Sequence, residues 1–112
     1  MANSKQPEAS MAIQVLPKTA KTPAGKFTSG EELLRIVDAV IGYIKSTGLN
    51  YFVGPFETTV EGDFDRLCQI AAECQKICIR EGAESVSSYI KFVYNPHDGV
   101  WPIDMKVSKY HA

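Results

Sequence analysis

The stretch from Thr47 to Asp65 constrains the fold of this 112-residue chain more than any other part of the sequence. Gly48 stands where a helical pattern ends, in the position of a left-handed C-terminal cap. Aromatic and β-branched residues follow on both sides of Gly54-Pro55 and favour strands. Gly62-Asp63 then supplies a break and an N-cap residue for a second helix. The stretch therefore predicts a helix end, a β-hairpin and a helix start.

Two amphipathic helices are predicted to flank this hairpin. Ser29-Gly30-Glu31-Glu32 matches a capping box with Ser29 as the N-cap, so the first helix begins there and ends before Gly48. The second begins at Asp63 and stops at Gly82. Apolar residues recur at helical spacing along both of them. The predicted buried stripes are Leu33, Ile36, Val37, Val40, Ile41 and Ile44 in the first helix, and Phe64, Leu67, Ala71, Cys74, Ile77 and Cys78 in the second.

Four segments carry the composition of strands, and a fifth predicts a short helix. Alternation and β-branched or aromatic content mark the strands. They are Met11 to Leu16 (ended by Pro17), Leu49 to Val53, Phe56 to Glu61, and Ser85 to Tyr94. Beyond a turn, the chain from Pro102 to Val107 could form a short helix that covers an exposed sheet edge.

The order β-α-β-β-α-β predicts an α+β, ferredoxin-like fold. Right-handed crossovers then give a four-stranded antiparallel sheet of order 4-1-3-2 with two helices on one face. We expect residues 1–10 to be a disordered extension and residues 11–112 to form one ferredoxin-like ligand-binding domain. On strand three, the apolar character of Val60 places Val60, Thr58 and Phe56 towards the helices.

The opposite face of the predicted sheet is left uncovered by this arrangement. We expect it to carry polar and apolar side chains from three strands, among them Gln14, Glu57, Thr59, Glu61 and Tyr89. A half-apolar open face in so small a protein commonly packs on another sheet. Self-association through the sheet is therefore expected.

Composition excludes several classes of partner. A net charge of −1 and an isoelectric point near 6.1 supply no field for gripping a phosphate backbone, so nucleic acid is not expected as a partner. The sequence shows no apolar run long enough to cross a bilayer and no leader, so we expect a cytoplasmic protein with no membrane partner. The three cysteines have no metal-ligand spacing, so they are interpreted as small buried hydrophobes, and no metal or cofactor is predicted.

Catalytic constellations are also missing from the sequence, and no enzyme is predicted. His97 lies in a turn beside Asp98, and neither it nor His111 has a plausible nucleophile nearby. Glu57 and Glu61 could form a carboxylate pair, although strand carboxylates are usually solvated. Two interpretations of Gln14, Thr58 and Thr59 remain open from the residues alone. They line a pocket for a flat, hydrogen-bonding ligand, or they form hydrogen bonds across a subunit interface.

The hairpin region resembles a known family. Pro55, Thr58, Glu61 and Gly62 form a Pro-x-x-Thr-x-x-Glu-Gly pattern, and the helix exit Thr47–Tyr51 precedes it. With the element order, these motifs resemble the YkoF-like thiamine-binding protein family over about Met11 to Tyr94.

This resemblance implies a domain that binds thiamine or its hydroxymethylpyrimidine portion without transforming it. It also implies homodimers and homotetramers that assemble through their sheets. Thr58, Thr59 and Gln14 would then bind the pyrimidine, which needs paired donors and acceptors. Glu57 or Tyr89 would lie near the thiazolium cation. The alternative is a structural or regulatory oligomer with no thiamine-type ligand.

Overall fold

A computed structural model describes residues 6–20 and 30–111 of the chain, without the side chains of Lys109 and His111. The elements run in the order β1 (Ala9–Thr19), α1 (Gly30–Ser46), β2 (Tyr51–Val53), β3 (Thr58–Gly62), α2 (Phe64–Arg80), β4 (Ala83–Tyr94) and α3 (Ile103–His111). The four strands form one antiparallel sheet of order β2-β3-β1-β4. This is the predicted order 4-1-3-2, so the ferredoxin-like α+β fold is confirmed, with α3 as a third helix.

Strand β1 is longer than predicted at both ends. It begins at Ala9, which pairs with Gly62 on one side and Tyr94 on the other, so the last two residues of the predicted disordered extension belong to the sheet. Just before the strand, the Glu8 carbonyl accepts a hydrogen bond of 3.0 Å from the Asn95 backbone. Pro17 does not end the strand, because β3 does not extend alongside this part of β1 and no ladder hydrogen bond is lost there. Residues 1–5 lie outside the described residues.

The core lies between one face of the sheet and helices α1 and α2. Both predicted apolar stripes supply buried residues, and Gly48 adopts the predicted left-handed conformation with φ 78°. Asp63 caps α2 as predicted, since its carboxylate accepts a 3.0 Å hydrogen bond from the Arg66 backbone. The predicted N-cap Ser29 lies outside the described residues. The fully buried larger side chains are Met11, Ile36, Ile44, Val60, Leu67, Ile70, Cys74 and Cys78.

The register assigns each strand residue to a face. Ile13 pairs with Thr58 and Met11 with Val60, and these residues belong to or border the buried core, so Thr58 and Val60 face the helices as predicted. Phe56 does not join them, because β3 begins only at Thr58. The alternate residues face the opposite side, which we call the open face. They include Ala12, Gln14, Thr59, Glu61, Tyr89, Lys91 and Val93.

Helix α3 corrects the expectation of a wholly uncovered sheet face. The Ile103 backbone donates a 2.7 Å hydrogen bond to Glu61 Oε2, and Glu61 lies on the open face. Ile103, Ser10 and Glu61 are all buried. The start of α3 therefore covers one end of this face, whereas the sequence predicted that this helix would cover a sheet edge.

Two of the three cysteines are buried, as the sequence predicted for all three. Cys74 and Cys78 are buried in the core, while Cys68 is exposed on the outer side of α2. Burial raises the pKa of the Cys74 thiol to about 12, with smaller contributions from Cys78 and Glu73. These two thiols therefore act as apolar packing groups.

Candidate functional site

The candidate site is a cavity that opens where β3 stops and β1 continues. Thr58 is the first residue of β3 and pairs with Ile13, whereas β1 runs on to Thr19. The space beside this part of β1 is bounded by α1 and by the β2–β3 hairpin, and it holds a cavity of about 230 Å³. The gap in the sheet is thus the direct cause of the cavity.

The hairpin tip shapes one side of the mouth. The Gly54 amide donates a 2.9 Å hydrogen bond to the Glu57 carbonyl, which leaves Pro55 and Phe56 as a two-residue tip. A Cβ atom at Gly54 would lie only 3.0 Å from that carbonyl oxygen, so a larger residue would distort the turn. Phe56 is 79% exposed at the tip, and Leu34 of α1, which also lines the cavity, is 62% exposed. Both side chains are free to contact a ligand at the rim.

Most of the cavity wall is aliphatic. Helix α1 contributes one apolar face, and the edge of the sheet contributes the rest. The apolar lining residues include Ile13, Val15, Leu33, Val37, Val40, Ile41, Ile44 and Val53. Such a wall suits the faces of a planar ring, with orientation left to a few polar groups.

Three of the five predicted site residues, Gln14, Glu57 and Thr58, line this cavity. Among the described residues, the Thr58 hydroxyl has no hydrogen-bond partner. No side-chain polar atom in this part of the chain is both fully buried and without a partner, so the Thr58 hydroxyl oxygen is not fully buried. Thr58 is only 7% exposed and faces the helix side. Its hydroxyl is therefore open to the cavity, where a ligand can reach it.

Gln14 approaches the cavity from the other side of β1. Its position in the register places it on the open face, opposite Tyr89. It still borders the cavity because no β3 residue pairs with β1 past Ile13. Glu57 is exposed and lies between the hairpin tip and β3, so its carboxylate stands at the mouth.

The other two predicted site residues, Thr59 and Tyr89, do not line the cavity. Thr59 lies on the open face between Ala12 and Phe52, and Tyr89 is 70% exposed on the same face. The predicted site residues therefore lie in two places, the cavity and the open face. Gln14 is next to both, because it borders the cavity and pairs with Tyr89.

Glu57 and Glu61 do not form the predicted carboxylate pair, because both carboxylate oxygens of Glu61 accept hydrogen bonds within the protein. Its Oε1 accepts a 2.7 Å hydrogen bond from Asn50 Nδ2, and its Oε2 binds the start of α3. Glu57 remains alone at the cavity. His97 lies in a turn in which the Asn95 side chain accepts hydrogen bonds from the backbones of His97 and Asp98.

The described residues contain neither a candidate metal site nor a candidate membrane-spanning helix. No group of three or more His, Cys, Asp or Glu side chains in this part of the chain is arranged to hold a metal ion. Within the same residues, no helix is long and apolar enough to span a bilayer.

Comparison with known proteins assigns the family. A family model described as thiamine-binding protein matches residues 11–111. The chain belongs to this thiamine-binding protein family. A curated relative, UPF0045 protein CPE1503 of Clostridium perfringens, is 41% identical over 100 residues, which cover 89% of this chain and 94% of that protein.

Solved structures of similar proteins agree with this family assignment. A domain of unknown function, DUF77, from Bacillus cereus has 33% identity and a TM-score of 0.77, covering 97% of this chain and 95% of that one. A candidate thiamine biosynthesis/salvage protein, TM0486 from Thermotoga maritima, has 29% identity and a TM-score of 0.73, covering 91% and 97%. The resemblance inferred from the hairpin motif is thus confirmed at the level of the family.

The sequence did not identify the aliphatic wall of α1 as part of a site. Leu33, Val37 and Ile41 were assigned to the core stripe. One signal was present, since the Gly54-Pro55 break leaves too little chain for β3 to extend along all of β1. The cavity follows from that difference in strand length.

Proposed function

We propose that this thiamine-binding family member binds thiamine or its hydroxymethylpyrimidine portion in the cavity at the end of β3. The observation that carries the proposal is the Thr58 hydroxyl, which has no hydrogen-bond partner among the described residues and borders a largely aliphatic cavity. A polar group kept there without a protein partner costs stability unless a ligand or water satisfies it. The binding would serve salvage, transport or buffering in the cytoplasm.

The chemistry of the cavity matches such a ligand. A methylated aminopyrimidine has apolar faces and a polar edge, which fit aliphatic walls with a hydroxyl and an amide at the margin. Glu57 at the mouth supplies a carboxylate for the thiazolium cation, and the exposed ring of Phe56 offers a cation–π surface beside it. The hydroxyl and the amide would therefore contact the pyrimidine, and Glu57 and Phe56 would contact the thiazolium.

The cavity volume favours one ring inside. About 230 Å³ is below the usual range of roughly 300 to 1,000 Å³ for pockets that enclose drug-sized ligands. The pyrimidine would occupy the cavity, and the thiazolium would lie at the rim near Glu57.

The site favours binding over turnover. Among the described residues that line the cavity, Glu57 is the one ionisable side chain. No second acid–base group lies beside it within that lining, and general acid–base catalysis usually relies on such a group. We therefore propose a non-catalytic binding protein.

We also propose that the protein self-associates through its sheet. β4 is a twelve-residue edge strand, and its outer edge has no partner strand among the described residues. Its last six residues expose Tyr89, Ile90, Phe92, Val93 and Tyr94, with Lys91 as the single charge. A long apolar edge of this kind is a template for pairing with another strand, and a second copy supplies one by twofold symmetry.

Isothermal titration calorimetry tests the binding proposal. Thiamine and hydroxymethylpyrimidine are titrated into the wild-type protein, Thr58→Val and Thr59→Val. We expect saturable binding by the wild type, a loss of about tenfold or more in affinity for Thr58→Val, and no such loss for Thr59→Val, which makes the same change on the open face. Absence of binding by an intact wild-type oligomer would instead support a purely structural or regulatory oligomer.

A further inference from the structure

The Val15 backbone in β1 presents an amide and a carbonyl to the cavity, and the direction of the ladder bonds shows why. The Glu61 amide donates to the Asn50 carbonyl at 3.1 Å, so odd-numbered residues of β3 direct their backbone groups to β2 and even-numbered ones to β1. Thr58 and Val60 therefore bond Ile13 and Met11. On the other side, the Asn95 amide donates to the Glu8 carbonyl, so even-numbered β1 residues bond β4.

Past Ile13, the Val15 backbone directs its amide and carbonyl into the gap, because the β1–β4 register stays regular as far as Lys18. No β3 residue pairs with Val15. Pro17, two residues further along, has no backbone N–H, and Thr19 lies beyond a shift in the β1–β4 register. Val15 keeps both an amide donor and a carbonyl acceptor, and it lines the cavity.

This position is the next rung of the β1–β3 ladder. In the register of that ladder, Phe56 would lie opposite Val15, but it is at the hairpin tip and highly exposed. The space that a strand residue would fill is left to the cavity. A buried backbone pair of this kind requires a partner, and a ligand can provide one.

We infer that the polar edge of the ligand pairs with the Val15 backbone as an extra strand residue would. This inference rests on the proposed function and specifies how the site recognises its ligand. The Val15 amide donates to a ring nitrogen, and the Val15 carbonyl accepts from an adjacent exocyclic amine. A 4-aminopyrimidine carries this acceptor next to this donor on one planar edge. The same pairing selects amino-substituted heterocycles as the ligand class.

The pairing explains how a largely aliphatic cavity can be specific. Side chains of α1 contact the faces of the ring, the Thr58 hydroxyl lies beside the last ladder bond, and backbone groups bind the edge. A site that hydrogen-bonds a ligand group rejects analogues that lack it, because its own polar groups are then left unpaired. The amine should therefore contribute more to affinity than the other substituents.

Amide hydrogen exchange measured by NMR tests the pairing. Uniformly 15N-labelled protein is studied free and saturated with 4-amino-5-hydroxymethyl-2-methylpyrimidine, with saturation established by calorimetry. We expect the Val15 amide proton to shift downfield and to exchange at least about tenfold more slowly in the complex. The Ile13 amide, which is bonded within the ladder in both states, is the matched control and should change little.

The outcomes separate this inference from the proposed function. A saturated protein in which the Val15 amide stays unprotected would overturn the pairing and leave the proposed function intact. Failure of the pyrimidine and of thiamine to bind would overturn the proposed function, and the pairing with it.

A proline substitution tests the amide donor directly. Because the Val15 amide takes no part in the ladder and β1 already contains Pro17 two residues further along the same edge, Val15→Pro should fold. We expect a loss of at least about tenfold in pyrimidine affinity, whereas Val15→Ala, which keeps the amide, should lose less. If Val15→Pro does not fold, the wild type titrated with 5-hydroxymethyl-2-methylpyrimidine decides. Equal affinity for this analogue without the amine would overturn the inference.

Discussion

Thr58 and Ile13 form the last pair between β3 and β1, and β1 continues past this pair to Thr19. The part of β1 that β3 does not reach, helix α1 and the hairpin tip enclose the cavity that we propose as the ligand site. One difference in strand length thus creates the proposed ligand site in a common α+β sheet.

Phe56 should contribute to affinity and not to stability. Its ring is 79% exposed at the hairpin tip, so Phe56→Ala should change the unfolding free energy by no more than about 0.5 kcal/mol. Losing an aromatic contact with the ligand should weaken binding by roughly threefold to tenfold. Phe52→Ala, on the open face, is the matched control for binding. Unchanged thiamine affinity in Phe56→Ala, measured by calorimetry, would remove the hairpin tip from the site.

Glu61 should contribute to stability and not to binding. Both of its carboxylate oxygens are hydrogen-bonded, one to Asn50 and one to the Ile103 backbone, and the side chain is buried. Glu61→Ala should lower the unfolding free energy by about 1 to 3 kcal/mol in urea denaturation. Glu57→Ala, at an exposed position, should weaken thiamine binding and leave stability within about 0.5 kcal/mol. The reverse pattern would mean that the roles assigned to these two carboxylates are wrong.

The cysteines should differ sharply in reactivity. Cys68 is exposed, while Cys74 and Cys78 lie in the core, where burial raises the pKa of both thiols and so removes the reactive thiolate. Titration of the native protein with Ellman's reagent should modify Cys68 alone, and the other two should react only after unfolding. Rapid modification of all three in the native state would show that α2 does not pack as described.

The buried Cys74 thiol should make stability depend on alkaline pH. Burial raises its pKa from 9.0 to about 12, so between these values the thiolate forms in the unfolded chain and not in the folded one. The stability contributed by the neutral thiol is therefore complete below pH 9.0 and is lost as the pH rises towards 12. Urea unfolding midpoints across this window should fall more steeply for the wild type than for Cys74→Ala. Equal slopes would contradict this assignment.

The sequence was sufficient for the fold because each element has a local physical signal. Helical periodicity and the Asp63 cap marked α1 and α2, and the glycines at positions 48 and 82 ended them with left-handed backbone. The Gly54-Pro55 break limits the length of β3, but the length of β1 carried no comparable signal. Pro17 predicts a strand end by propensity, but a proline costs nothing where no neighbouring strand requires its amide.

The site was harder to predict from the sequence than the fold, because it depends on the gap beside β1 where β3 ends. Polar residue types in the hairpin region pointed to Thr58, Glu57 and Gln14, which do border one cavity. Alternation could not reveal that Thr59 lies outside it while Gln14 borders it through the gap. Aliphatic residues of α1 and the Val15 backbone have no sequence signature as ligand contacts, because the same residue types build any core.

A crystal structure of the protein grown with thiamine tests the central claim most directly. We expect density for the pyrimidine ring between α1 and the β2–β3 hairpin, beside Thr58 and the edge of β1, with the thiazolium at the rim near Glu57. Density for thiamine on the open face beside Thr59 and Tyr89, with the cavity holding only solvent, would contradict it.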